Sequence, residues 1–213
     1  MATSEAKVTS VKPLDNHDAK WLNLVQIEYT NLDGEPRTWE AVRRTTRPKD
    51  SPVDAVHIIA TRSSPESENG PEVLLERQFR PPAGKIVVEF PAGLVDGGET
   101  VEEAAVRELR EETGYVGTVV DEGKETRPLV FHSAPASSFS CASTVRVQID
   151  MSRAENKDPK PQLEEDEIIE CFWVPVKGMY AALRKFQDDG LAIDGKVGAF
   201  AEGIETLMTL RMG

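Results

Sequence analysis

The chain has 213 residues, of which 39% are hydrophobic and 29% charged, the composition of a water-soluble globular protein with one good core and room for a small appendage. Its formal net charge of −12 argues against a nucleic-acid partner, which needs a basic surface, and no segment approaches the ~20 continuous apolar residues of a membrane span. The N-terminus lacks the apolar stretch of a secretory signal, and Cys141 and Cys171 are too few for a disulfide framework and too far apart for a zinc knuckle, so a cytoplasmic protein with reduced, structural thiols is expected, nuclear entry being left open.

The first ~18 residues are polar and expected to fray, as termini do. Two strand-like runs follow at 20–30 and 37–46, joined by Asn31, Leu32, Asp33 and Gly34, which carry hairpin turn chemistry. They form a small antiparallel unit ahead of the main domain, with the Pro-rich segment 47–52 as the hinge. The expected division is therefore 1–50 for the tail and small β unit and 51–213 for the main domain. Strands resume at 53–60, 72–79 and 86–90, with a Ser- and Glu-rich loop at 63–70. A loop at 91–98 feeds a helix at 100–113. Further strands are expected at 116–120, 129–132, 144–149 and 167–174, then helices at 176–187 and 195–212. Strands alternating with helices in this way suggest an α/β architecture, a mixed sheet covered on both sides.

The helix at 100–113 is chemically unusual. At about 100° per residue, Val101, Ala104 and Ala105 share one side, and Glu108 and Glu112 fall on that same side one or two turns later. A solvated face with i,i+4 pairs accounts for Glu103, Arg107 and Glu111, but not for Glu108 and Glu112. Two inward carboxylates repel each other and cost several kcal/mol to desolvate unless a cation neutralises them. Oxygen ligands of this kind suit a hard divalent ion, Mg²⁺ foremost with Mn²⁺ as its competitor, and the number of carboxylates suits two or more ions. An acidic protein also needs cations to mediate any phosphate chemistry. Glu89 ends the otherwise apolar run Ile86, Val87, Val88, a position that points to the same ions.

From Gly93 the chain reads G-x5-E-x7-REL-x-EE-x-G through Glu99, Arg107, Glu108, Leu109, Glu111 and Glu112 to Gly114. This resembles the Nudix box, with Tyr115 where the family prefers a branched aliphatic residue. The resemblance implies an α/β/α sandwich around a mixed sheet and hydrolysis of a diphosphate linked to a nucleoside. Outside the box, Arg77-Gln78-Phe79-Arg80-Pro81-Pro82, Glu89-Phe90-Pro91-Ala92-Gly93-Leu94 and the run around Trp39 and Arg43-Arg44 resemble the ADP-ribose pyrophosphatase (ADP-sugar pyrophosphatase) branch, its eukaryotic members especially.

That likeness implies a homodimer in which the N-terminal sheet is exchanged between subunits and two tryptophans clamp the adenine, here Trp21 and Trp39. A core or interface role remains the alternative for each, although a hairpin is too thin to bury two tryptophans on its own. The likeness further implies Arg44 and Arg80 on the phosphates or ribose, Leu94 at the substrate, and metal ligands at Ala92 (its carbonyl), Glu108 and Glu112 with Glu89 and Glu111 nearby. It makes Glu167 the general base, with Glu164, Glu165 and Asp166 crowding that position. Ser133 to Ser138 replace an aspartate-containing substrate loop, which weakens the expected preference among ADP-sugars. The expected reaction is Mg²⁺-dependent cleavage of ADP-ribose to AMP and ribose 5-phosphate. The alternatives are a Nudix hydrolase of a dinucleotide, ADP-glucose or oxidised nucleotide, and a non-catalytic ADP-ribose-binding regulator.

Overall fold

The computed structural model describes residues 6–63, 70–120, 128–164 and 167–211. Glu165 and Asp166, most of the loop expected at 63–70 and the end of the last expected helix lie outside them. Among the described residues, the N-terminal unit is a two-stranded antiparallel ribbon of β1 (Leu22–Thr30) and β2 (Pro36–Arg44) in unbroken register from Leu22↔Arg44 to Thr30↔Pro36. Its turn is organised by Asn31, whose side-chain oxygen accepts from the Asp33 and Glu35 N–H groups, an Asx-type turn that explains the polar sequence there.

The second sheet contains β3 (Ala55–Arg62), β4 (Glu72–Arg80), β5 (Lys85–Glu89), β6 (Ala92–Leu94), β7 (Gly117–Val119), β8 (Val130–His132), β9 (Cys141–Ile149), β10 (Glu170–Pro175) and β11 (Ala192–Ile193). It is mixed: β3 runs parallel to β9 and β5 parallel to β11, while β4 is antiparallel to β3, β5 and β10. Alternate side chains build a core on each face. Leu74 of β4 packs with Ile58, Val145, Val147 and the helix α1 (Val101–Thr113). Val73 and Leu75 pack on the other side with α2 (Met179–Asp188) and α3 (Gly195–Arg211). The helices therefore cover both faces, the α/β/α arrangement expected.

One irregularity places the site. β3 meets β4 only at Thr61↔Val73 and Arg62↔Glu72. Beyond that point the β5–β6 segment fills the gap, pairing first with β4 from Arg80↔Lys85 to Glu76↔Glu89 and then with β3 from His57↔Ala92 to Ala55↔Leu94. The segment expected as a plain loop at 91–98 thus begins as a short strand, and Ala92 lies where the sheet divides.

Other boundaries differ in ways that follow from long-range contacts. β9 starts at Cys141, three residues before the expected start at Thr144, because Asp54 accepts the Cys141 N–H at 2.9 Å and holds the strand in place. β10 starts at Glu170 rather than 167, and α2 at Met179 rather than 176, after Gly178 at φ 82°. The polar segment 47–52 is tied down: Arg47 donates to both oxygens of the buried Asp54 and to the Phe139 carbonyl. Cys141 and Cys171 are free thiols.

Candidate active site

The helix α1 is framed at both ends by its own sequence. Thr100 and Glu103 form a reciprocal capping box, and Gly114 closes the C-terminus at φ 74°, where a side chain would also run into the Lys160 backbone. This fixes the rotation of the helix, so Ala104, Ala105 and Leu109 enter the core and Glu112 enters with them. Glu112 is 5% exposed and accepts the Ala92 N–H at 2.9 Å. Glu108, one turn earlier, lies against Gly93, where an added Cβ would fall 1.8 Å from its carboxyl carbon. A side chain at 93 would therefore displace the Glu108 carboxylate from its present place.

Around these carboxylates opens a cleft of about 650 Å³. The predicted residues Ala92, Leu94, Glu108, Glu111, Glu112, Glu167, Arg44 and Arg80 all line it. Glu89 stands behind Arg80, which grips it with two hydrogen bonds, Nε at 2.7 Å and Nη2 at 3.1 Å. Glu167 accepts the Glu164 N–H at 2.9 Å, and both residues line the cleft. Trp21 and Trp39 are apart from the others. They are 64% and 50% exposed on the ribbon, and Trp39 is anchored by its indole N–H on the Ala136 carbonyl at 2.7 Å.

Three further residues belong to this geometry. Arg107 acts as a hub, with Nη1 on Glu108 at 2.8 Å and Glu111 at 3.1 Å, and Nη2 on Glu99 at 2.6 Å and the Leu94 carbonyl at 2.9 Å. Its contact holds Glu99 below the usual carboxylate range. His57, opposite Ala92 in the register, is stacked on Phe131, and burial, aided by the Lys196 charge, lowers its pKa to about 4. It is therefore an uncharged ring at neutral pH. Glu76 is fully buried on β4 and was not singled out by the motif; its spacing to Gln78 and Arg80 on one strand was the signal available.

The electrostatics are those of crowded, buried carboxylates. Burial, reinforced by Glu76, pushes the Glu112 carboxyl well above its ordinary value, and burial with Glu89 does the same to Glu76. Glu108 is raised by burial although Arg107 partly offsets it. Glu76 Oε2 has no hydrogen-bond partner among the described residues. Buried charges are paired or coordinate metals, and hard oxygen donors from Glu108, Glu112 and the Ala92 carbonyl fit a divalent ion. Among the described residues, no three acidic, His or Cys side chains are yet closed to ligand spacing; Arg80 and Arg107 hold Glu89 and Glu108 in ion pairs instead.

The family model of the NUDIX domain matches residues 52–192. The chain belongs to the Nudix family. Nudix hydrolases generally use divalent metal ions and act on nucleoside diphosphate derivatives. The chain is similar to an uncharacterized Nudix hydrolase of Schizosaccharomyces pombe, 42% identical over 93% of this chain and 92% of the relative. It is similar to the ADP-ribose pyrophosphatase of Saccharomyces cerevisiae, 36% identical over 94% and 84%, and to the ADP-sugar pyrophosphatase of Mus musculus, 36% identical over 86% and 81%. Among the described residues no helix is long and apolar enough to cross a membrane.

Proposed function

We propose that this Nudix hydrolase cleaves the pyrophosphate of ADP-ribose, and of related ADP-sugars, giving AMP and ribose 5-phosphate from the former in a Mg²⁺-dependent reaction, with Mn²⁺ as the competing ion. The observation that carries the reading is Glu112, a buried carboxylate that accepts the Ala92 N–H and has no salt bridge among the described residues, in a cleft that Arg44 and Arg80 also line. Similarity over most of the chain to an ADP-ribose pyrophosphatase and an ADP-sugar pyrophosphatase supports the substrate class.

In this reading Glu108, Glu112 and the Ala92 carbonyl hold two or more divalent ions, with Glu89 and Glu111 beside them. Bound ions supply neutralisation of the diphosphate and a more acidic water. Glu167, at the mouth, takes the proton of the attacking water. Arg80 and Arg44 fork onto phosphate oxygens, which requires Arg80 to leave Glu89. Arg107 keeps Glu108 and Glu111 oriented.

Trp21 and Trp39 stack the adenine, and Leu94 supports the nucleotide at the edge of the cleft. Neither tryptophan is among the residues lining the cleft of its own chain, which fits a homodimer in which the N-terminal tail and small β unit (1–50) serve the partner's 51–213 domain. The enzyme works in the cytoplasm, with nuclear entry as the alternative.

The test is incubation of the purified protein with Mg²⁺ and ADP-ribose, ADP-glucose or NADH, followed by identification of the products. AMP with ribose 5-phosphate as the fastest pair is the expected outcome. Tight binding of ADP-ribose without turnover would instead identify a sensor and end the enzymatic reading.

A further inference from the structure

One buried acidic side chain beside the cleft does not belong to the Nudix motif and does not line the cleft itself. Glu76 precedes Gln78 and Arg80 on β4 by two and four residues, so all three leave the strand on the face covered by α1. Directly across the ladders it faces Glu89 on β5 and Cys171 on β10, and Cys171 Sγ lies 3.8 Å from the Glu112 carbonyl. Glu76 therefore occupies the layer beneath Glu112, separated from the open cleft by the Gln78 side chain that lines it.

Its surroundings do not suit a structural carboxyl. Glu76 is wholly buried. One oxygen accepts the neutral Gln78 amide at 3.0 Å, and Oε2 accepts from nothing among the described residues. Arg80, which leaves β4 on the same face, spends both Nε and Nη2 on Glu89. A well-packed apolar side chain would serve a purely structural position better. With Glu89 across the ladder and Glu112 beyond Cys171, the unmet oxygen is an unused ligand for a cation.

We propose that Glu76 is a further ligand of the divalent-cation site, an inner carboxylate that exchanges its Gln78 hydrogen bond for a cation shared with Glu112. This deepens the site beyond the residues of the motif helix and rests on the reading of the cleft as a cation-dependent hydrolase centre. The ligand class is a hard divalent ion, Mg²⁺ or Mn²⁺, for which one more anionic oxygen raises affinity.

The experiment measures Mn²⁺ binding to the full chain without substrate, by the electron paramagnetic resonance signal of free Mn²⁺, for wild type, E112Q, E76Q and E76M. The expected result is that E76Q and E76M fold, as judged by circular dichroism, melt no lower than wild type without metal, and bind one Mn²⁺ about 10–100-fold more weakly, as E112Q does. Wild-type affinity in a folded E76Q or E76M, with binding weakened in E112Q, overturns this inference and leaves the hydrolase reading standing. Failure of wild type to bind Mn²⁺ removes both. If neither Glu76 variant folds, the carboxyl is structural and the inference is wrong.

Discussion

Replacing Glu112 by glutamine separates what the side chain does for catalysis from what it does to the fold. The substitution keeps the shape and the oxygen that accepts the Ala92 N–H, but removes a carboxyl whose pKa burial and Glu76 raise well above its ordinary 4.5. In the unfolded chain that carboxyl is ionised above about pH 4.5, whereas in the metal-free fold it keeps its proton to higher pH. Folding therefore takes up a proton in this window, and stability falls as pH rises through it, by about 1.4 kcal/mol per pH unit for one proton. Between about pH 4.5 and 7.5 the limit is about 4 kcal/mol; with Glu76 in the same interior and some structural relaxation, about 2 kcal/mol is reasonable. Metal-free E112Q should thus melt about 4–8 °C above wild type at about pH 7.5, with the difference closing near pH 5, and should lose about 100-fold or more in Mg²⁺-dependent turnover of ADP-ribose. Calorimetry in a chelator at the two pH values, together with product assays, checks both halves. A variant that melts below wild type at pH 7.5, or that retains turnover, refutes the argument.

Gly93→Ala places a Cβ 1.8 Å from the Glu108 carboxyl carbon, so Glu108 must move; turnover should fall at least about tenfold with the circular dichroism spectrum unchanged. Removing Trp39 by W39A should raise the KM for ADP-ribose by an amount equivalent to about 1–3 kcal/mol of lost stacking, with kcat little altered, in steady-state kinetics. His57 titrates near 6.5 when unfolded and at about 4 when folded, so the unfolded chain binds the extra proton between those values. Stability is lost as pH falls from 6.5 toward 4, by up to about 3 kcal/mol, and chemical denaturation of H57N should lack that component.

Much of α1 was legible because its information is local. The bounds of the helix at 100–113 and the inward phase of Glu108 and Glu112 follow from residue types and spacing along one stretch of chain, and the capping box of Thr100 and Glu103 agrees with those bounds. Arg107 was legible only in part. Its i,i+4 contact to Glu111 is local, but its bonds to Glu99 and the Leu94 carbonyl depend on how the preceding loop folds back. Glu76 was hidden for the same reason. In a strand reading Glu72-Val73-Leu74-Leu75-Glu76, a glutamate looks like the wet side of a ladder; its burial depends on β10 and α1, which are remote in the chain, as well as on the neighbouring β5. The two-residue β11 carries too few residues for any periodicity. Trp39 lies on β2 and Trp21 just ahead of β1, and neither lines the cleft of the same chain, a matter of tertiary geometry that no local pattern encodes.

The ribbon of β1 and β2 is fastened to the rest of the chain chiefly through the stretch 136–139, by Trp39 on Ala136, Val42 on Ser137 and Phe139 on Val42, while Trp21, Leu22 and Leu24 face water. A two-stranded piece of this kind has little stability of its own. If those apolar side chains are covered by a second subunit, specific activity should decline as the enzyme is diluted, and assays run at nanomolar protein would understate how well the nucleotide is held.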